Sequence, residues 1–117
     1  MERTKRQWWQ GAYVALALGM AACSPSKAEG VAPSEARAAV ERGAILLDVR
    51  SPGEFSGGHL TGAINIPVDA LGARSGELAA DREVVVYCRS GRRSAAAATL
   101  LREQGRQVID VGPMEAW

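Results

Sequence analysis

The 117-residue chain holds a single histidine, two cysteines and a single phenylalanine, and aromatic residues make up only 5% of it. So few sulfur and imidazole ligands leave no room for a structural zinc cluster. Charge of one sign is lacking too: fourteen lysines and arginines stand against thirteen aspartates and glutamates, a net +1. A nucleic-acid binder normally carries a strongly basic face, so composition argues against that partner. Internal repeats and low-complexity tracts are missing from the domain. A long hydrophobic run is missing as well. The most apolar stretch, Gly11 to Ala22 (GAYVALALGMAA), rises only about 18 Å as a helix, against a bilayer core of roughly 30 Å. What is present, 47% hydrophobic and 23% charged residues, describes one folded globular domain.

The apolar run follows Arg3, Lys5 and Arg6 and closes on small residues. It is apolar all round, with no polar stripe, unlike an ordinary surface helix. A basic start, a short apolar centre and small residues at the end form an export signal over residues 1–22. Its last residues, Met20-Ala21-Ala22-Cys23, resemble the lipobox of bacterial lipoproteins, with Met20 where leucine is usual. The resemblance implies that Cys23 is the lipidated first residue of the mature chain. Ser24 beside it, in place of aspartate, implies an outer-membrane destination facing the periplasm of a Gram-negative cell. The competing expectation is ordinary cleavage near Ala22 and a free periplasmic protein. Residues 23–32 are small, polar and turn-prone, a flexible tether leading to a domain over 33–117. Without the leader 95 residues remain, enough for one modest core.

From Pro33 the pattern is regular. Pro33-Ser34 and the EARAAVE segment form a capped helix closed by Gly43. Ala44 to Val49 (AILLDV) is a buried strand, Ala63 to Ile66 a second one stopped by Pro67, and Glu83 to Tyr87 (EVVVY) a third. Gly57, Gly58 and Gly62 mark a turn-rich connection, and Val68 to Ala80 leans helical with interruptions at Gly72 and Gly76. Ser94 to Gln104 is the clearest helix, stopped by Gly105, and Gln107 to Val111 offers a further strand. This alternation predicts an α/β fold, a mainly parallel central sheet with helices on both faces. Ligands of such sheets bind beyond the carboxyl ends of the strands.

One such end carries Tyr87-Cys88-Arg89-Ser90-Gly91-Arg92-Arg93-Ser94. Loop amides and the N-terminus of the following helix can converge on one point, and Arg89, Arg92 and Arg93 add full charges. The pattern predicts an anion cradle with a thiol at its floor, and a thiol pKa depressed by amides and arginines together. The ordinary alternative makes Cys88 a small buried hydrophobe. Cys88 has no cysteine within three residues, which argues against a thioredoxin-type dithiol. A protein tyrosine phosphatase loop needs five residues between cysteine and arginine. Here Ser94 takes that position and Arg93 comes one early, so the loop is one residue too short. His59, after two glycines in a turn, is expected to be structural rather than a catalytic partner.

The segment LDVRSPGEFSGGHLTGAINIP (Leu47–Pro67), the CRSGRRS loop and the VGPMEAW ending together resemble the rhodanese-like sulfurtransferases. Pro113 stands where that family's third motif has its second glycine. The resemblance implies a three-layer rhodanese-like fold. It implies Cys88 as the nucleophile that accepts a sulfane sulfur as a persulfide, with the amides from Arg89 to Ser94 holding the outer sulfur. Arg89, Arg92 or Arg93, with Ser90, Gly91 and Ser94, would bind an anionic donor such as thiosulfate. Asp48 and Arg50 would organise the loop rather than react. Phe55, Tyr87 and Trp117 would pack the core and the site walls, while Glu54 has no evident chemical role. The acceptor would be an external thiol or cyanide, the protein a monomer, and neither metal nor organic cofactor is implied. Two other classes share the architecture: a non-enzymatic persulfide carrier or interaction module, and a phosphatase or arsenate reductase, which the short loop disfavours.

Overall fold

The computed structural model describes residues 33–117; the expected leader, the tether and Cys23 lie outside the described residues. Helix α1 (Pro33–Glu41) starts on proline, whose missing N–H costs nothing at a helix start. It buries Ala36 and Ala39, three residues apart on one face. Its end is tied by bonds from Gly43 N to Val40 O and from Ala44 N to Ala39 O, both 3.0 Å, the paired closure that the glycine signal predicts. Strand β1 (Ile45–Asp48) follows, then a short helix α2 (Pro52–Ser56), the two-residue edge strand β2 (Ile64–Asn65) and helix α3 (Val68–Arg74) running into a 3-10 turn (Ser75–Glu77). Strand β3 (Val84–Cys88), helix α4 (Arg92–Glu103), strand β4 (Val108–Pro113) and a closing 3-10 turn (Met114–Ala116) complete the order.

The sheet is parallel throughout, in the order β2-β1-β3-β4. Side chains on each strand alternate between its two faces. Ile45, Leu47, Val84, Val86 and Cys88 face α3 and α4, where Leu71, Ala97, Ala98 and Leu101 cover them. Leu46, Val85 and Tyr87 face α1, where Ala36 and Ala39 pack, with Ile109, Val111 and Trp117 completing that side. This is the expected sheet with helices on both faces.

Two differences from the sequence pattern matter for the site. Helix α2 lies where only a turn-rich connection was expected. It forms because Ser51 and Glu54 make a reciprocal cap: Glu54 N–H donates to Ser51 Oγ at 3.2 Å, and Ser51 N–H donates to Glu54 Oε1 at 3.0 Å. Strand β4 also runs two residues further than expected. Its register against β3 shifts between Val86 and Tyr87, so that Asp110 pairs with Val86 but Gly112 with Tyr87. The Asp110 carboxylate accepts the Gly112 N–H at 2.9 Å, and the shift sets Pro113 opposite Cys88.

Candidate functional site

Strand β3 ends at Cys88, and the chain turns through Arg89 and Ser90 to Gly91, the cap residue of α4. Gly91 has φ +103, a left-handed conformation that disfavours any residue with a Cβ, although a Cβ there would meet Pro113 Cδ at an ordinary 3.7 Å. A helix start normally has its third N–H satisfied by the cap side chain. Glycine has none, and Cys88 Sγ takes the role. It accepts the Ser94 N–H at 3.3 Å and the Gly91 N–H at 3.0 Å. The Ser94 hydroxyl, itself fully buried, donates back to Gly91 O at 3.2 Å and closes the turn.

Cys88 has no exposed surface. Burial is the largest single influence on its thiol and pushes it up. The Ser94 hydroxyl and the N–H groups of Ser94, Gly91 and Arg93 together outweigh burial and hold the thiol below its ordinary value of 9.0. The depression expected from the sequence is therefore present, but its chief source is neutral dipoles rather than the guanidinium charges. Thiol protection by aliphatic neighbours alone, the ordinary alternative, does not describe a sulfur with two amides aimed at it.

The three loop arginines part company. Arg93 points to α2, where its two terminal nitrogens donate to both oxygens of Glu54 at 2.8 and 3.2 Å. That pair holds the Glu54 carboxyl at about 2 and raises Arg93. Glu54, which the sequence left without a chemical role, thus fastens α2 to the start of α4. Arg89 and Arg92 are exposed, as is Ser90. Arg89 also lines a cavity of about 370 Å³ shared with Arg50, Gly53, Glu54, Gly57, Gly58, Met114 and Glu115.

Asp48 and Arg50 serve a separate network. The Arg50 guanidinium donates to both Asp48 oxygens at 2.7 to 3.1 Å and to Gly58 O at 2.7 Å. The Tyr87 hydroxyl donates to Asp48 at 2.7 Å and accepts the Leu60 N–H at 3.1 Å. Asn65 adds bonds to the backbone oxygens of Asp48 and Arg50, both 2.9 Å. These bonds organise the 58–60 connection, and among the described residues none runs from Asp48 or Arg50 to residues 89–94. Burial, the largest influence, pushes the Tyr87 hydroxyl up to about 12.

His59 stacks on Phe55 with ring centroids 3.7 Å apart and bonds Phe55 O through Nδ1, so it makes no contact with the cysteine. Trp117 packs on the α1 face, beneath Arg37. Among the described residues no group of acidic, histidine and cysteine side chains is arranged to hold a metal, and no helix is long and apolar enough to cross a membrane. The residues that sequence reasoning missed are Glu54 and Asn65. For Glu54 the S-x-x-E spacing of a capping box was a usable signal. For Asn65 there was none.

The family model described as rhodanese-like domain matches residues 32–117. A Bacillus subtilis protein named YqhL is 48% identical over 64 residues, which make up 55% of this chain and 51% of that protein. A sulfurtransferase of Allochromatium vinosum is 39% identical over 75 residues, 62% of this chain and 70% of its own length. Among solved structures, the human single-domain sulfurtransferase TSTD1 superposes with a TM-score of 0.64 at 30% identity, covering 78% of this chain and 96% of that one. The chain thus spans about half the length of the first of these relatives.

Proposed function

The chain belongs to the rhodanese-like domain family, and from that premise we propose that it is a sulfurtransferase working through a persulfide on Cys88. The observation that carries this reading is the pair of N–H groups, from Gly91 and Ser94, donating to one sulfur at the start of α4. Such donors stabilise an anion whether it is a thiolate or the outer sulfur of a persulfide. The relatives' names support sulfur transfer as the chemistry.

The reaction is a double displacement. Cys88 thiolate attacks the sulfane sulfur of an anionic donor such as thiosulfate; the donor S–S bond breaks and sulfite leaves with its electron pair. An external acceptor, a thiolate or cyanide, then attacks the outer sulfur of the persulfide, and Cys88 departs as thiolate. Arg89 and Arg92, exposed beside the loop, attract and orient the donor, while Arg93 is engaged by Glu54 and positions the loop. The donor approaches from the Arg89–Ser90 side, where the loop faces solvent. The leader pattern supports a location in the periplasm, with attachment to the outer membrane through lipidated Cys23. A single-domain monomer suffices for this chemistry.

Incubation with thiosulfate followed by intact-mass measurement tests the reaction: one added sulfur, ~32 Da, is expected on the native protein and none on Cys88→Ser. Absence of the adduct on the native protein sinks the reading. Loading without turnover to any acceptor would instead identify a carrier. For the location, metabolic labelling with a radioactive fatty acid is expected to mark the full-length protein and not Cys23→Ser; an unlabelled native protein refutes lipidation.

A further inference from the structure

The cavity beside the loop has four charged residues in its lining, Arg50, Glu54, Arg89 and Glu115. It stands beyond the carboxyl ends of three strands: Arg50 follows β1, Arg89 follows β3 directly, and Met114 and Glu115 follow β4. Two of the four charges are already engaged. Arg50 is held by Asp48 and Gly58, and Glu54 by Ser51 and Arg93. The other two, Arg89 and Glu115, are exposed, and among the described residues neither has a hydrogen-bond or ion-pair partner. Both lie close to the reactive position along the chain or across the sheet. Arg89 adjoins Cys88, and Glu115 comes two residues after Pro113, the register partner of Cys88.

One open cation and one open anion in one polar cavity suit a ligand carrying both charges. Glycine backbone at Gly53, Gly57 and Gly58 leaves the opposite wall without bulk. The volume, about 370 Å³, equals that of about twelve liquid waters, ample for a single amino acid. Resting on the sulfurtransferase reading, we infer that the sulfur acceptor is a small zwitterionic aminothiol, its carboxylate on Arg89 and its ammonium on Glu115. Its thiolate attacks the outer sulfur of the Cys88 persulfide. A new S–S bond forms on the acceptor, the old one breaks, and Cys88 recovers its thiolate with the bonding pair. A double displacement allows Arg89 to serve twice, because the donor's sulfite has gone before the acceptor arrives. Glu115 then has opposite effects on the two halves: it repels the anionic donor and attracts the acceptor's ammonium.

The test separates the halves by single-turnover mass measurement. Loading is followed with thiosulfate, and discharge of preformed persulfide with cysteine, with 3-mercaptopropionate (no ammonium) and with cysteamine (no carboxylate), at matched thiolate concentrations. The native protein is expected to discharge to cysteine about fivefold faster than to either analogue at low thiol, the factor for the one exposed charge contact that each analogue lacks. Glu115→Gln should slow discharge to cysteine about fivefold, leave 3-mercaptopropionate no slower, and speed thiosulfate loading about twofold. General damage to the fold cannot give these opposite signs. Equal discharge to all three thiols, or an unchanged Glu115→Gln, overturns the inference while loading keeps the sulfurtransferase reading intact. A native protein that fails to load overturns both.

Discussion

Asp48 and Cys88 close adjacent parallel strands, both with no exposed surface, and their side chains leave the sheet on opposite faces. Each places a group able to carry negative charge inside the protein, and the two are stabilised by different means. Asp48 has a whole guanidinium on its two oxygens, together with the Tyr87 hydroxyl and the Arg50 N–H at 2.9 Å. Cys88 is held chiefly by dipoles: two N–H groups in direct contact, with Ser94 and the helix start behind them. A buried ion pair fixes its charge, because removing either partner strands the other in a poor solvent. Dipoles impose no such condition. Thiol, thiolate and persulfide can succeed one another in the amide cradle without leaving a buried cation unmatched. The first arrangement suits a scaffold that must not change, the second an atom that must.

The contrast can be broken most sharply at the two anions themselves. Cys88→Ser is expected to abolish sulfur loading completely in the mass assay while melting close to the native protein, since the loop amides can still bond a hydroxyl. Asp48→Ala is expected to do the reverse. It leaves Arg50, only 6% exposed, uncompensated, a loss of about 3–5 kcal/mol, or more than about 10 °C in Tm for a domain of this size. Calorimetry measures it. Equal damage from both substitutions would dissolve the distinction. Tyr87→Phe probes the same network more gently: it leaves the Leu60 N–H and Asp48 each short of one partner, at a cost of about 1–3 kcal/mol by urea denaturation.

Much of this was legible in the sequence, for identifiable reasons. Val84-Val85-Val86 is a buried strand by composition alone, and Gly43 and Gly105 end helices with the same pair of closing bonds. Cys88 was legible as a reactive position because a strand, a glycine-bearing turn and a helix start follow one another there. Helix α2 was obscured because five residues are too few to show a period, one of them is a glycine and two more glycines follow; only its capping pair betrayed it. The start of α4 lies two residues earlier than the alanine run suggests, because Arg92 and Arg93 look like loop residues until Gly91 is seen to cap the helix. What stayed hidden was direction. Nothing near Arg93 in the chain reveals that its side chain turns to Glu54, thirty-nine residues away, and so nothing revealed that amides rather than arginines dominate the thiol.

That last point sharpens the comparison at the cysteine. If the dipoles set its pKa, Ser94→Ala should move the thiol upward, towards the ordinary value, while Arg92→Ala moves it less. Thiolate ultraviolet absorbance against pH reads both without requiring reagent access to a buried sulfur. The native midpoint is expected below 9.0. Because the folded state holds the lower pKa, the thiolate's contribution to stability is absent below the folded midpoint, grows as pH rises through it, and is complete above 9.0. A larger shift in Arg92→Ala than in Ser94→Ala would return the credit to the guanidinium charges.

The smallest effect belongs to Glu54, where a full charge pair joins the dipole cradle at the surface. Its carboxyl sits at about 2 in the folded protein, chiefly through Arg93, against an ordinary 4.5. A depressed carboxyl stabilises the fold above its ordinary value and loses that contribution as pH falls through the folded one. The difference between native protein and Glu54→Gln should therefore be constant above about pH 4.5, shrink below it, and vanish near pH 2. Urea midpoints across that range measure it. Both partners keep much of their side chains in water, so the whole difference should be small, and salt should reduce it. Glutamine keeps the acceptor for Ser51. A gap that survives at high salt would therefore show that Glu54 acts through its short two-point bonding to Arg93 rather than through net charge, and the screened attraction would then be no part of what holds the cysteine loop.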